Sequence, residues 1–437
     1  MTTGKPDKSA MSYITDLLYL LAAPIFLPPY LYKILVKKKY RESTKGMLGL
    51  NLPRETWNKE PGTRNLWLHA VSVGEVVAGK AVLAEWVKLE PGTRILASTV
   101  TETGQQKARE ILTEAEAVIY YPLDFTGIVR RFLATYNPQV YIMMETEIWP
   151  NFLREAGARG VKIFLANGKL SDKSFSLWMK AGKLFQGTFD AITAACVQTR
   201  EDGEKFKALL RRPEHILVTG NCKFDSSGSP LSPKEKAEIL SRLKITDRSP
   251  ILVVGSTHPG EEEIILEAWD RARQKVPGLK LILAPRHPER FDAVARLLES
   301  RGIVFSRYSN PSLENPEAVL VDAMGVLAKI YGVGDVAIVA GSFAPIGGHN
   351  LLEAAVHRVP VLYGPHMHKQ PEILKIFKFS SAGKQVEKDE LAPALEALFL
   401  NEDERRRMGE AGAAAALQNR GSARRTVEFI RSFTEKK

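Results

Sequence analysis

The chain has 437 residues, room for about three compact domains at ~150 residues each or two with appendages, so a single small module is excluded. With 44% hydrophobic and 25% charged residues it is too apolar for a disordered chain and too polar for a multi-span membrane protein. Its 61 Lys and Arg against 50 Asp and Glu leave a net charge of +11, which suits nucleic acid, an anionic membrane surface or a phosphorylated ligand without choosing among them.

The first element is an uncharged stretch of 16 residues, Leu17 to Tyr32, followed at once by Lys33, Lys37, Lys38, Lys39 and Arg41. At 1.5 Å per residue it covers ~24 Å, short of a ~30 Å hydrocarbon core, and Pro24, Pro28 and Pro29 interrupt its hydrogen-bond ladder. The basic cluster follows the apolar run, the reverse of a signal peptide. A membrane-seated anchor or interfacial segment is expected, its cationic collar meeting anionic headgroups; a buried N-terminal arm is the alternative. Residues 1–60 hold ten Lys or Arg and five Asp or Glu, nearly half of the net excess, and Met11 is an alternative start to Met1.

From Arg64 onward, short apolar runs at 65–71, 94–100, 117–122, 139–144, 161–166, 191–198 and 216–219 alternate with amphipathic stretches such as 75–89 and 102–113. This alternation predicts βαβ units and a parallel sheet covered by helices. Residues 221–249 break the rhythm with Asp225-Ser226-Ser227-Gly228-Ser229-Pro230 and read as a linker. A second alternation runs through 251–255, 279–284, 302–306, 318–321, 335–340 and 359–363, and the tail beyond Glu390 is helical. The expected fold class is α/β with two Rossmann-like, doubly wound domains. The boundaries are an anchor and collar at 1–60, a first domain at 61–220, the linker at 221–249, a second domain at 250–400 and terminal helices at 401–437. Two cysteines, Cys196 and Cys222, exclude a disulfide framework or a Cys-rich zinc site.

In open α/β sheets ligands bind beyond the carboxyl ends of the strands. Gly74 to Lys80 has P-loop spacing, but Ala81 stands where a magnesium-binding Ser or Thr is needed. Gly332-Val333-Gly334 precedes its strand and is read as a turn. Glu75 sits at a sheet mouth and a helix N-terminus, where the macrodipole favours a carboxylate; a plain first-turn Glu explains it equally well. His69 reads as a packed histidine, and Glu145 with Glu147 as paired carboxylates or as caps. No Asp-x-Asp occurs, so a magnesium-dependent sugar-diphosphate site has no support. In the second half, strand-end loops carry His258, then Arg286 and His287, then the glycine-rich run Gly341 to Asn350 with His349. Their backbone N–H groups and cations suit a phosphate, and Glu353 suits ribose hydroxyls; zinc on the three histidines is the weaker reading.

Six ordered strings carry a family likeness: WLHAVSVGE (67–75), ETEIWPN (145–151), TGNCKFD (219–225), GSTHPGEEE (255–263), PRHPERF (285–291) and GSFAPIGGHNLLEAA (341–355). Together they resemble the Kdo transferases, bacterial enzymes that move 3-deoxy-D-manno-octulosonic acid from CMP-Kdo to the lipid A precursor of lipopolysaccharide. The resemblance implies a GT-B architecture, with two Rossmann-like domains facing across a cleft and a C-terminal helix crossing back. It also implies an inverting, metal-independent glycosyltransferase that needs no cofactor and works on the cytoplasmic face of the inner membrane. By that resemblance Glu75 is the proton acceptor, and Glu145 and Lys223 are transition-state stabilisers acting on opposite sides of the breaking bond. Pro285, Arg286 and His287, then Met324, Gly325 and Val326, then Asn350, Leu351, Leu352 and Glu353 bind CMP. The implied partners are CMP-Kdo, the lipid A precursor and a membrane surface. Another GT-B enzyme using a different nucleotide sugar, or a non-catalytic membrane-tethered anion-binding protein, is the alternative; dispersed aromatics speak against nucleic acid. Asn167-Gly168-Lys169-Leu170-Ser171, Val326 and Lys369-Gln370-Pro371 depart from the family's usual residues.

Overall fold

The computed structural model describes residues 8–35, 40–53, 57, 63–418 and 420–435, so Met1 and the collar residues Lys37, Lys38 and Lys39 lie outside the described residues. The chain divides into two compact units, Met1–Ser226 with Arg420–Lys437, and Ser227–Asn419.

The first unit is built on β1 (Asn65–His69), β2 (Arg94–Thr99), β3 (Ala117–Tyr120), β4 (Val140–Met144), β5 (Lys162–Gly168), β6 (Ile192–Val197) and β7 (Ile216–Val218). These form a seven-stranded parallel sheet in the order β3-β2-β1-β4-β5-β6-β7. The second unit has β8 (Ile251–Thr257), β9 (Lys280–Pro285), β10 (Phe305–Arg307), β11 (Ala318–Leu320), β12 (Val336–Val339), β13 (Val361–Tyr363) and β14 (Gly383–Gln385). Its order is β10-β11-β9-β8-β12-β13-β14, again seven parallel strands, with β11 inserted between β10 and β9. Central strands such as β1 and β4 are buried along their whole length, which is why they read as unbroken apolar runs. The order turns between β1 and β4 in the first sheet and between β8 and β12 in the second, and the segments after those strands carry Glu75, Glu145, His258 and His349.

Several expectations change. The strand β14 was not anticipated, because Gly383-Lys384-Gln385 has no apolar run and sits at a sheet edge. The boundary between the two units, Ser226/Ser227, falls within the segment 221–249 read as a linker; the segment holds a 3-10 helix Cys222–Ser227 and a charged α-helix Pro233–Arg242, which starts at a Ser232/Glu235 capping box. The terminal segment 401–437 is not one block. Helix Glu402–Gln418 belongs to the second unit, while helix Ser422–Arg431 inserts Ala423, Val427 and Ile430 into the core of the first, with Leu66, Leu68 and Val76. Gly74 to Lys80 lies within the helix Val73–Leu89, so it makes no phosphate loop, and Gly332 and Val333 form a 3-10 turn.

The N-terminal helix Lys8–Leu35 runs through its three prolines, whose fixed φ is itself helical, at the loss of a backbone hydrogen-bond donor at each. Among the described residues no helix is long and apolar enough to cross a membrane. The helix docks with its polar side. Asp16 Oδ1 accepts from Asn151 Nδ2 (2.7 Å) and the Thr126 N–H (3.1 Å), Tyr19 donates to Asp124 Oδ2 (2.9 Å), and Arg154 donates to Thr15. Asp124 also accepts the N–H groups of Asn151 and Phe152, which opens the helix Pro150–Ala158 beneath it. Leu17, Leu20 and Leu21 are 56%, 59% and 67% exposed.

Candidate active site

In the first unit Glu75 is the third residue of the helix Val73–Leu89, and Ser72 caps that helix. Its side chain is nearly buried, 6% exposed, and is fixed by three donors: the Val71 N–H to Oε2 (2.9 Å), and the Ser72 N–H (3.2 Å) and hydroxyl (2.8 Å) to Oε1. The capping-box signature Ser-x-x-Glu was present in the sequence and places the carboxylate back over the strand end. The macrodipole does not decide its protonation. Burial pushes the Glu75 carboxyl above its ordinary value, the Val71 and Ser72 hydrogen bonds oppose this, and nearby Glu145 adds to it.

Glu145 directly follows β4 with φ 54°, a left-handed conformation that a bulky residue adopts at a cost of about 1–3 kcal/mol and that aims its side chain off the strand axis. Its N–H donates to the Ala166 carbonyl of the neighbouring strand (2.9 Å). Lys223 Nζ donates to Glu145 Oε1 at 2.8 Å. The two residues, read from sequence as a pair of transition-state stabilisers, therefore form one ion pair. A Cβ on Gly74 would lie 3.4 Å from Lys223 Nζ, which places the ammonium beside the first turn of the helix that carries Glu75. Glu147 joins this group: burial, with the Glu75 and Glu145 charges adding, pushes its carboxyl up to about 7. Glu75, Glu145, Glu147 and Lys223 thus converge at the β1/β4 crossover.

His69 is a packed histidine. It stacks on Tyr121 at 3.8 Å, its Nδ1 lies 3.0 Å from Ser98 Oγ, and burial lowers it to about 3. Cys196 and Cys222 are free and buried, and burial raises both thiols, so they serve packing.

Three supporting residues were missed from sequence. Asn167 is fully buried with φ 58°, and its Oδ1 accepts the Cys222 N–H (2.8 Å), while Asn221 Oδ1 accepts the Lys223 N–H (3.0 Å). Together they hold the 3-10 turn that presents Lys223. The third is Glu261, at the N-terminus of the helix Glu261–Ala272 in the second unit. An Asn at a strand end is a recognisable signal for a left-handed turn, but its partner 55 positions on is not.

In the second unit His258 Nε2 lies 2.9 Å from His349 Nε2 with the rings stacked at 4°, and His287 is 5.3 Å from His258. Burial lowers His349 to about 3, and Arg286, His258, Lys369 and His287 push in the same direction, which marks a cationic surrounding suited to an anion. Lys369 was noted from sequence only as a departure; its N–H donates to the Gly347 carbonyl (3.0 Å), which packs its loop on the glycine-rich run. Pro285 ends β9, and the Arg286 N–H donates to the Thr257 carbonyl (3.0 Å). Met324 is 51% exposed, Gly325 has φ 80°, and Val326 precedes the short helix Leu327–Ile330. Asn350 Oδ1 accepts the Leu352 N–H (3.1 Å), while Leu351 and Leu352, expected at the nucleotide, are wholly buried. The Glu353 charge is felt by buried Tyr331, whose hydroxyl fills the space a side chain at Gly255 would need.

Part of one expectation changes. Of the glycine-rich run Gly341 to Asn350, read from sequence as suited to a phosphate, the N–H groups of Gly341, Phe343 and Ala344 are already bonded to the Glu261 carboxylate. Among the described residues no group of three His, Cys, Asp or Glu is arranged to hold a metal ion.

Residues 45–226 match the family model described as 3-deoxy-D-manno-octulosonic-acid transferase (kdotransferase). The chain is 34% identical to a 3-deoxy-D-manno-octulosonic acid transferase of Haemophilus influenzae over 380 residues, 86% of this chain and 88% of that protein. It is 30% identical to the protein of the same name from Chlamydia trachomatis over 424 residues, 96% of this chain and 97% of the other. Among solved structures, a putative UDP-N-acetylglucosamine 2-epimerase from Listeria monocytogenes superposes with TM-score 0.54 at 14% identity, covering 86% of this chain and 98% of its own. At that identity the likeness speaks for the two parallel-sheet α/β domains alone.

Proposed function

The chain belongs to the 3-deoxy-D-manno-octulosonic acid (Kdo) transferase family, and on that premise we propose that it transfers Kdo from CMP-Kdo to the lipid A precursor, with inversion and without a metal ion. The observation that carries the proposal is the buried Glu75, held by three donors beside the Glu145–Lys223 ion pair.

The acceptor hydroxyl gives its proton to Glu75. Its oxygen forms the new bond to the anomeric carbon of Kdo as the bond from that carbon to the CMP phosphate breaks, and the electron pair leaves on the phosphate. Attack opposite the leaving group inverts the centre. The three hydrogen bonds fix the base before substrate arrives, and its raised pKa makes the ionised form a stronger base than an exposed carboxylate. Positive character on the anomeric carbon is met by the Glu145 carboxylate, which Lys223 holds in place. In the second unit Arg286 and Lys369 face the phosphate, and the loops Pro285 to His287, Met324 to Val326 and Asn350 to Glu353 hold the nucleotide. The two units act as the halves of a GT-B glycosyltransferase.

We place this reaction at the cytoplasmic face of the inner membrane. The support is the helix Lys8–Leu35, which turns its polar side to the protein and leaves leucines exposed for a bilayer surface, with Lys and Arg following. Glu75→Gln is expected to lower transfer by about 10²- to 10⁴-fold while the CMP affinity of the full chain stays within twofold. Turnover retained in that variant would remove Glu75 from the role of base. Mass spectrometry of the lipid product made from CMP-Kdo and lipid A precursor tests the substrates, and transfer from a UDP-sugar in place of CMP-Kdo contradicts the assignment.

A further inference from the structure

Glu261 is 0% exposed, yet it carries a carboxylate. Its four described partners are backbone amides: Oε2 accepts from His258 (2.9 Å) and Gly341 (2.7 Å), and Oε1 accepts from Phe343 (2.9 Å) and Ala344 (3.2 Å). These amides come from the loops after β8 and β12, the two strands that flank the crossover of the second sheet. A ring of backbone N–H groups around one anion is the arrangement that glycine-rich loops use for phosphate. Here the protein supplies the anion itself. The loop closes on Glu261, which brings Gly341 against His349 and His258, to the point that a Cβ at Gly341 would lie 2.6 Å from the His349 ring.

We propose that Glu261 is the positioning residue of the donor half-site: a built-in anion that takes up the N–H groups of the glycine-rich loop and leaves the donor phosphate to the side chains of Arg286 and Lys369. The inference rests on reading the second unit as the CMP-sugar side. Its physical content is a division of labour. Neutral N–H dipoles are spent on a permanent internal charge, so the loop geometry is set before ligand arrives, while mobile cations meet the charge that enters and leaves with each turnover.

The test is Glu261→Gln in the full chain, an isosteric change that places an NH₂ donor against two N–H donors. CMP binding is measured by calorimetry, and steady-state constants are measured for donor and acceptor separately, with far-UV circular dichroism as the check on folding. The expected result is at least a tenfold weaker Kd for CMP and a matching rise in donor KM, with acceptor KM within twofold of wild type. CMP affinity unchanged in folded Glu261→Gln, or equal rises in donor and acceptor KM, overturns the inference alone. A wild-type chain that does not bind CMP overturns the donor reading and the inference with it. If Glu261→Gln is not recovered folded, Ala344→Pro deletes one of the four N–H groups and leaves the carboxylate in place. A donor-specific KM rise of threefold or more then supports the inference, and an unchanged donor KM overturns it.

Discussion

At the scale of single residues the site balances charges that oppose one another. Glu75 has to be ionised to accept a proton, so activity is expected to rise with pH as its raised pKa is passed, and the Glu145 charge contributes to that rise. In Glu145→Gln, whose residual rate is measured as a pH profile, the acid limb should therefore shift to lower pH. Glu147 supplies a stability prediction. Its pKa moves from 4.5 to about 7 on folding, so the folded state binds its proton more tightly; that stabilisation is complete below about pH 4.5 and is lost as pH rises through about 7. Thermal melts of Glu147→Gln should show a flatter decline between those limits than wild type. Asn167→Gly keeps the left-handed backbone but removes the acceptor of the Cys222 N–H, and about 1–3 kcal/mol of stability should be lost along with the placement of Lys223. Asn167→Ala should lose more, by the added cost of φ 58°. Of these residues, Glu75 and Glu145 were legible in the sequence because they lie in the strings WLHAVSVGE and ETEIWPN, at the ends of apolar strands. Asn167 and Glu261 were not, since their partners lie 55 and 80 or more positions away.

At the scale of elements, the N-terminal helix inverts the usual pattern of a surface helix. Thr15 and Asp16 are turned to the protein, Tyr19 is hydrogen-bonded to Asp124, and Leu17, Leu20 and Leu21 are turned away. The 16-residue apolar run suggested a membrane-seated segment or a buried arm, but which side docks on the protein is set by Asp124, Asn151 and Arg154, over a hundred positions on. Replacing Leu17, Leu20 and Leu21 together by Gln is expected to weaken partition onto anionic vesicles by roughly 100-fold or more, because each exposed leucine loses roughly 1 kcal/mol of apolar burial at ~25 cal/mol per Å². The melting temperature should not move, since those side chains support no core. Unchanged vesicle binding would remove the helix from a membrane role. The strands show the opposite contrast: thirteen of the fourteen announced themselves as apolar runs, and β14 did not because an edge strand of Gly, Lys and Gln carries no burial signal.

At the scale of the whole molecule, two parallel sheets follow from the alternation of strand and helix, but the chain's last helix completes the first unit's core after 193 residues spent in the second, Ser227–Asn419. Asp225 accepts the N–H groups of Gly421 (2.5 Å) and Ala423 (2.7 Å), which ties the returning helix to the strand-end turn that presents Lys223. Ile430→Ala should cost ~2–5 kcal/mol and lower the melting of the first unit in particular, read by calorimetry as separation of two transitions. The sequence by itself determined the α/β class, the position of nearly every strand, the family likeness and, through that likeness, the candidate carboxylates, because parallel sheets need continuous apolar runs and the family's motifs are local strings. Only the tertiary structure decided that Glu145 and Lys223 form one pair, that the glycine-rich loop closes on Glu261 and that Ala423, Val427 and Ile430 of the returning helix pack with Leu66, Leu68 and Val76. Each of these joins groups tens to hundreds of positions apart through hydrogen bonds or packing, and a local pattern carries no record of a partner that far away.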